Sequence, residues 1–173
     1  MKKSAVAFAL VGLTAMFSGA APTRVLAGPA EDVQSAMQLL KSKAAAIGAP
    51  SIKGEEELAG KKVPVLYFGS TKMNGNFALV DEVQKEKGGT ATIFVKDRDE
   101  FIRVATNVKK EDGSRAIATM LDPKGKAIAA IRKGENFFGD VDILGKPYTT
   151  GYEPIRDARS EILGIYYVGY PKQ

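Results

Sequence analysis

Apolar positions at Val33, Ala36, Met37, Leu40, Ala44 and Ile47 follow the three-and-four spacing of one helix face over residues 31–47. Glu31 and Asp32 near its start and Lys41 and Lys43 toward its end suit the helix dipole, and Gly48 with Pro50 stops it. A lone amphipathic helix of this kind needs a sheet or a second helix to cover. Residues 48–61 lack such a period, carry the acidic run Glu55-Glu56-Glu57 and read as loop. Residues 63–68 read as a short strand with Pro64 near its start. Beyond the polar turn ending in Asn74-Gly75-Asn76, residues 77–87 read as a second helix with Leu79, Val80 and Val83 as its stripe. Gly88-Gly89 closes it, since glycine accepts the left-handed cap. A phosphate-cradling glycine loop would need a helix to follow, and a β-branched run follows instead.

From residue 90 onward the period changes to two. Residues 90–95 and 101–108 form a hairpin across the turn-rich 96–100. Residues 115–121 read as the third strand, reached through a loop that contains Asp112-Gly113. Asp122-Pro123 then reads as a helix start, with Ala127, Ile128, Ala130 and Ile131 as its apolar positions and Gly134 as its stop. Residues 137–144, 146–157 and 161–170 are three further strands, the last two joined by a tight turn at 157–160. In the final strand Ile162, Tyr166 and Val168 lie on one side and Leu163, Ile165 and Tyr167 on the other. A strand that is apolar on both faces belongs in the middle of its sheet. The expected fold is α+β: a long N-terminal helix, a curved antiparallel sheet of five to six strands, and short covering helices, with both sheet faces covered.

The first residues follow a different rule. Lys2 and Lys3 precede an uncharged apolar run over residues 5–17, and small residues lead to Val25-Leu26-Ala27. That is the pattern of a secretory signal peptide cleaved near Ala27; an apolar run interrupted by Gly12, Thr14, Ser18 and Arg24 is short for a membrane span. An uncleaved N-terminal anchor is the alternative. The chain therefore divides into a leader at 1–27, the helix and connecting loop at 28–60, and a binding domain at 61–173, with a periplasmic or secreted location.

Export alters the meaning of the charge. The whole chain carries 25 basic and 20 acidic residues, a formal +5. Without Lys2, Lys3 and Arg24 the balance is 22 against 20, or +2. Charges alternate in sign, as in Lys96-Asp97-Arg98-Asp99-Glu100, which describes a solvated surface and not a phosphate-tracking stripe. Nucleic acid is not an expected partner. The sequence has neither cysteine nor histidine. Disulfides, thiolate metal sites and serine–histidine or cysteine–histidine catalysis are thereby excluded. No cofactor, metal site or catalytic residue is expected.

Several motifs then point the same way. Tyr67-Phe68-Gly69, Met73-Asn74-Gly75-Asn76-Phe77, Val80-Asp81-Glu82-Val83 and Gly88-Gly89-Thr90-Ala91-Thr92-Ile93-Phe94 occur in order. Arg103-Val104-Ala105-Thr106-Asn107-Val108 follows, then Asp112-Gly113 and Arg115-Ala116. Gly145-Lys146-Pro147-Tyr148, Gly151-Tyr152-Glu153-Pro154-Ile155 and Gly164-Ile165-Tyr166-Tyr167-Val168-Gly169 end the series. This pattern, over roughly residues 60–170, resembles the single-Cache (PAS-like) extracytoplasmic sensor domains of bacterial chemoreceptors. The resemblance implies a PAS-like fold that binds a small molecule, often a short carboxylate, between the sheet and its covering loops. Members of that group usually continue into a transmembrane helix and a signalling module, whereas this sequence stops at Gln173. The expectation is a stand-alone, non-enzymatic sensor module, with a membrane sensor as possible partner. The alternative is an interaction protein whose Cache-like shell has a closed pocket and docks on a membrane partner.

A carboxylate ligand needs a fixed cation together with hydroxyl or amide donors. Arg103 lies in an otherwise apolar strand in register with Phe101, Ala105 and Asn107; it either faces solvent at an edge or points into a pocket. Lys146, Tyr148, Thr150 and Tyr152 share one face of their strand. Tyrosines there are either core residues with hydroxyls at the margin or pocket walls with polar tips. The resemblance favours the pocket for Tyr148 and Tyr152, and the candidate ligand-binding residues are Arg103, Tyr148, Thr150 and Tyr152. Asp97, Asp99 and Glu100 sit in a turn too short for a calcium loop. Asp140 and Asp142, at alternate strand positions, could in principle form an acid–base pair, but no other feature supports a hydrolase.

Overall fold

The computed structural model describes residues 28–172, so the expected leader and its cleavage site lie outside the described residues. The first helix, α1, spans Pro29–Ile47 and buries Val33, Ala36, Met37, Leu40 and Ala44, the stripe expected of it. Its end is set by two glycines that touch. A Cβ on Gly48 would come within 2.6 Å of Gly69 Cα, and Gly48 adopts a φ of 148° that disfavours any other residue.

The chain then forms a strand where a loop is expected. β1 (Pro50–Leu58) pairs antiparallel with β2 (Lys61–Phe68), which pairs in turn with the two-residue β3 (Thr71–Lys72). β1 is an edge strand and leaves most of its side chains in solvent, so it shows no alternation of apolar residues. Backbone pairing to β2 holds it, aided by ion pairs from Lys62 to Glu55 at 2.7 Å and from Lys72 to Glu56 at 2.8 Å. The signal in the sequence was Ala59-Gly60, two residues with φ of 50° and 79° that make the mirror-image turn favoured in tight hairpins.

α2 (Ala78–Lys87) packs on α1 and leads into β4 (Thr90–Asp97) and β5 (Glu100–Thr106), a hairpin as expected. The short α3 (Lys126–Arg132) precedes β6 (Phe137–Ile143), β7 (Lys146–Arg156) and β8 (Ile162–Pro171). Strands β4 to β8 form one antiparallel sheet in the order β5-β4-β8-β7-β6, with β8 in the middle. One face packs on α1, α2 and β2. The other carries a second cluster that includes Phe94, Tyr152, Ile165 and Tyr167 under α3.

Two expectations fail on the second face. Residues 115–121 are not a strand: the only ladder pairing in the segment is the two isolated bridges Ile102↔Met120 and Lys109↔Arg115. Ala118 takes a φ of 60°, which breaks an extended run. Asp122 is not the helix cap either. It accepts a bond from Lys124 N–H in a turn, and Gly125 is the residue that precedes α3.

A bulge decides which face each residue of β5 meets. Ile93 pairs with Ala105 but Phe94 pairs with Arg103, leaving Val104 as the extra residue. Arg103 thus shares the α3 face with Phe101, whereas Ala105 joins the opposite core. The sequence expectation that Arg103, Ala105 and Asn107 share a face is corrected by this one-residue shift.

Gly164 in β8 lies against the backbone of β4, where a Cβ would fall 2.1 Å from Phe94 O. A carbonyl inside a paired ladder cannot move aside. Gly164→Ala is expected to destabilise the fold by about 2–3 kcal/mol in urea denaturation; an unchanged midpoint would show that β4 and β8 do not approach this closely.

Candidate functional site

Between the second sheet face, α3 and the segment before it lies an open cavity of about 430 Å³. Arg103 of β5 and Tyr152 of β7 reach it from the sheet. Val141 and Ile143 of β6 form an apolar side wall, Met120 and Leu121 the wall opposite, and Leu144 at the β6–β7 turn part of the rim.

Arg103 is 5% exposed, although arginine is almost never buried without a partner. Its Nη1 donates to Thr119 Oγ1 at 2.8 Å and to Met120 O at 3.4 Å. Its Nε is enclosed and has no acceptor. Among the described residues no carboxylate lies within ion-pair distance of it. The guanidinium stands over the Phe94 ring, 5.0 Å from its centroid, an attraction that offsets part of the desolvation. Burial pushes its pKa down from the ordinary value, but an arginine side chain keeps its charge at neutral pH. Arg103 is therefore a cation lining the cavity, with an enclosed Nε whose hydrogen-bonding capacity is unused.

Of the four residues singled out in the sequence, Arg103 and Tyr152 line this cavity. Tyr148 and Thr150 do not. Tyr148 packs at the edge of the neighbouring apolar cluster. Thr150 is buried and donates its hydroxyl proton to Gly139 O at 2.7 Å, so that proton is not free for a ligand. Tyr152 stacks obliquely on Tyr167, ring centroids 4.9 Å apart. Met120, Leu121, Val141 and Ile143 escaped sequence reasoning because nothing local separates a cavity wall from a core residue. For Met120 and Leu144 the one hint is that each is a large apolar residue left exposed.

Asp140 and Asp142 also border the cavity. Asp140 accepts bonds from Thr149 Oγ1 at 2.9 Å and Lys172 Nζ at 2.6 Å, and these hold its carboxyl below the usual range. Asp142 accepts the Gly145 N–H at 2.7 Å. A glycosidase-type acid requires a raised pKa, and Asp140 is shifted the other way.

Burial pushes the phenols of Tyr152 and Tyr167 well up, and that of Tyr166, on the opposite sheet face, up to about 12. Unfolded tyrosine titrates near pH 10. Above that pH the unfolded state sheds protons that the folded state retains, so stability falls as pH rises from about 10 toward 12. Each phenol contributes about 1.4 kcal/mol per pH unit in this window. Urea denaturation at pH 9, 10 and 11, with phenolate absorbance followed in parallel, is expected to show the midpoint dropping while these tyrosines stay protonated until unfolding. Full ionisation of every tyrosine in the folded state at pH 11 would contradict it.

Among the described residues no helix is long and apolar enough to cross a membrane. A comparison with curated proteins finds no match. The family model of the Cache 3/Cache 2 fusion domain, a kind of extracellular sensor domain, matches residues 29–173. The match begins at α1 and takes in both sheets, the cavity and all its lining residues. The chain belongs to the Cache 3/Cache 2 fusion domain family.

Proposed function

We propose that this protein is an exported, periplasmic sensor module of the chemoreceptor type that binds a short carboxylate at Arg103 without transforming it. The leader pattern at residues 1–27 supports export, and a membrane-bound sensor is the partner such a module would address.

The observation that carries this reading is the uncompensated arginine. A buried guanidinium with no carboxylate beside it costs several kcal/mol of desolvation, and an apolar residue of similar size would relieve that cost. A ligand anion in the cavity supplies the missing countercharge. The mixed lining of the cavity, with Tyr152 beside Arg103 and Val141, Ile143 and Leu121 around them, suits a small acid with a short apolar tail. The alternative of a closed, purely structural shell would have required bulky apolar groups in place of both the space and the cation.

A thermal-shift screen against short carboxylates, amino acids, purines and polyamines tests the proposal. A carboxylate at a hundredfold excess over its dissociation constant stabilises the folded state by about 2.7 kcal/mol. Arg103→Met is expected to weaken that ligand by at least about a hundredfold while the ligand-free protein melts higher than wild type. A ligand whose shift survives in Arg103→Met, or a screen in which only polyamines or purines act, would overturn the carboxylate reading.

A further inference from the structure

Among the described residues five large apolar side chains stand exposed, and two of them, Met120 at 43% and Leu144 at 46%, line the same cavity. They come from different parts of the chain: Met120 from the segment before α3, Leu144 from the turn between β6 and β7. Exposed apolar residues scattered singly are ordinary; a pair brought together at one cavity is a feature of that cavity.

Leu144 also holds a backbone conformation that its side chain disfavours. Ile143 pairs with Lys146, so Leu144 and Gly145 form a two-residue hairpin turn, with φ of 52° and 83°. Such a mirror-image turn suits asparagine or aspartate followed by glycine, since their short polar side chains tolerate the left-handed region. A leucine there is strained. Of the five non-glycine residues with positive φ among the described residues, Leu144 is the one large apolar side chain. Nearly half exposed, it recovers little of that strain by packing within the protein. Strain of this kind clusters at ligand clamps.

The cavity has chemically distinct ends. Arg103 enters from β5, and its guanidinium stands over Phe94 of β4. On the far side Val141 and Ile143, at alternate positions of β6, form an apolar strip that leads to Leu144. From β4 to β6 the sheet order counts three strand spacings, on the order of 14 Å in all, part of which side chains fill. An acetate held beside Arg103 leaves the apolar far end bare, whereas a longer straight-chain acid covers it.

Resting on the carboxylate reading, we propose that Met120 and Leu144 are specificity residues that enclose the end of an aliphatic tail, so that the cavity selects straight-chain monocarboxylates longer than acetate. The strained leucine puts an apolar side chain at the rim where an asparagine would suit the turn better.

The test is a series of straight-chain acids from acetate to hexanoate, titrated into the purified protein by calorimetry with melting temperatures followed in parallel. Affinity is expected to rise about fourfold with each added methylene, the gain for burying that group. Leu144→Asn removes the apolar rim and relaxes the turn. Without ligand it is expected to melt at or above the wild-type temperature, and it is expected to weaken hexanoate about tenfold more than it weakens acetate. Met120→Gln is expected to show the same bias against hexanoate, and it decides the matter should Leu144→Asn fail to fold. Acids bound equally well at every length, or acetate and hexanoate weakened equally in both variants, would overturn the proposal. If no acid binds, the carboxylate reading has failed, and alkanols and alkylamines of the same lengths judge the rim separately. Affinity that rises with the tail in wild type and levels off in Leu144→Asn then upholds it; no dependence on the tail refutes it.

Discussion

A sheet buried on both faces leaves no solvent for a polar group, and that constraint shapes the rest of this molecule. β8 is covered above and below, so every polar residue near it must find a protein partner or serve another one. The rule is met at Asn107, which accepts from Ala91 N–H at 2.7 Å and donates to Val80 O at 2.8 Å. It is met at Asn74, which bonds both Leu66 N–H and Pro64 O of β2. Thr92 and Thr106 pair their hydroxyls at 2.6 Å across two strands. Against that background the enclosed, unpartnered Nε of Arg103 is an exception among the described residues.

The segment between β5 and α3 follows from the same constraint. It has almost no secondary structure of its own, yet it walls the cavity and grips Arg103. A second arginine anchors it. Arg115 reaches Asp81 of α2 through Nη1 and Nη2 at 2.7 and 2.9 Å, donates also to Thr106 O at 2.8 Å, and stacks 4.4 Å from the Phe77 ring centroid. A bidentate pair with a third bond is stronger than an ordinary surface ion pair. One arginine thus ties the wall of the cavity to the helical layer on the other side of the sheet, and the other lines the cavity itself.

Where the chemistry was local, the residues announced it. The apolar stripes of α1 and α2, the hairpin of β4 and β5 and the two-sided last strand follow from period alone, because each buries a face that solvent would penalise. β1 was hidden since its stability comes from pairing with β2 and from exposed ion pairs, neither of which leaves an apolar rhythm. The false strand at 115–121 had the right residue types, but Arg115 and the turn at Ala118 commit it to tertiary contacts instead.

The sequence by itself determined the class of fold, the central place of β8 and the kinds of chemistry that a chain without cysteine or histidine cannot perform. It also presented Arg103 as a choice between solvent and pocket. Only the tertiary structure decided that choice, through a bulge at Val104 that turns Arg103 toward α3 and Ala105 away from it. Alternation along a strand is a period of two, and a single extra residue reverses it. Which of Tyr148, Thr150 and Tyr152 meets the cavity depends instead on where the covering segment closes over a face that all three share.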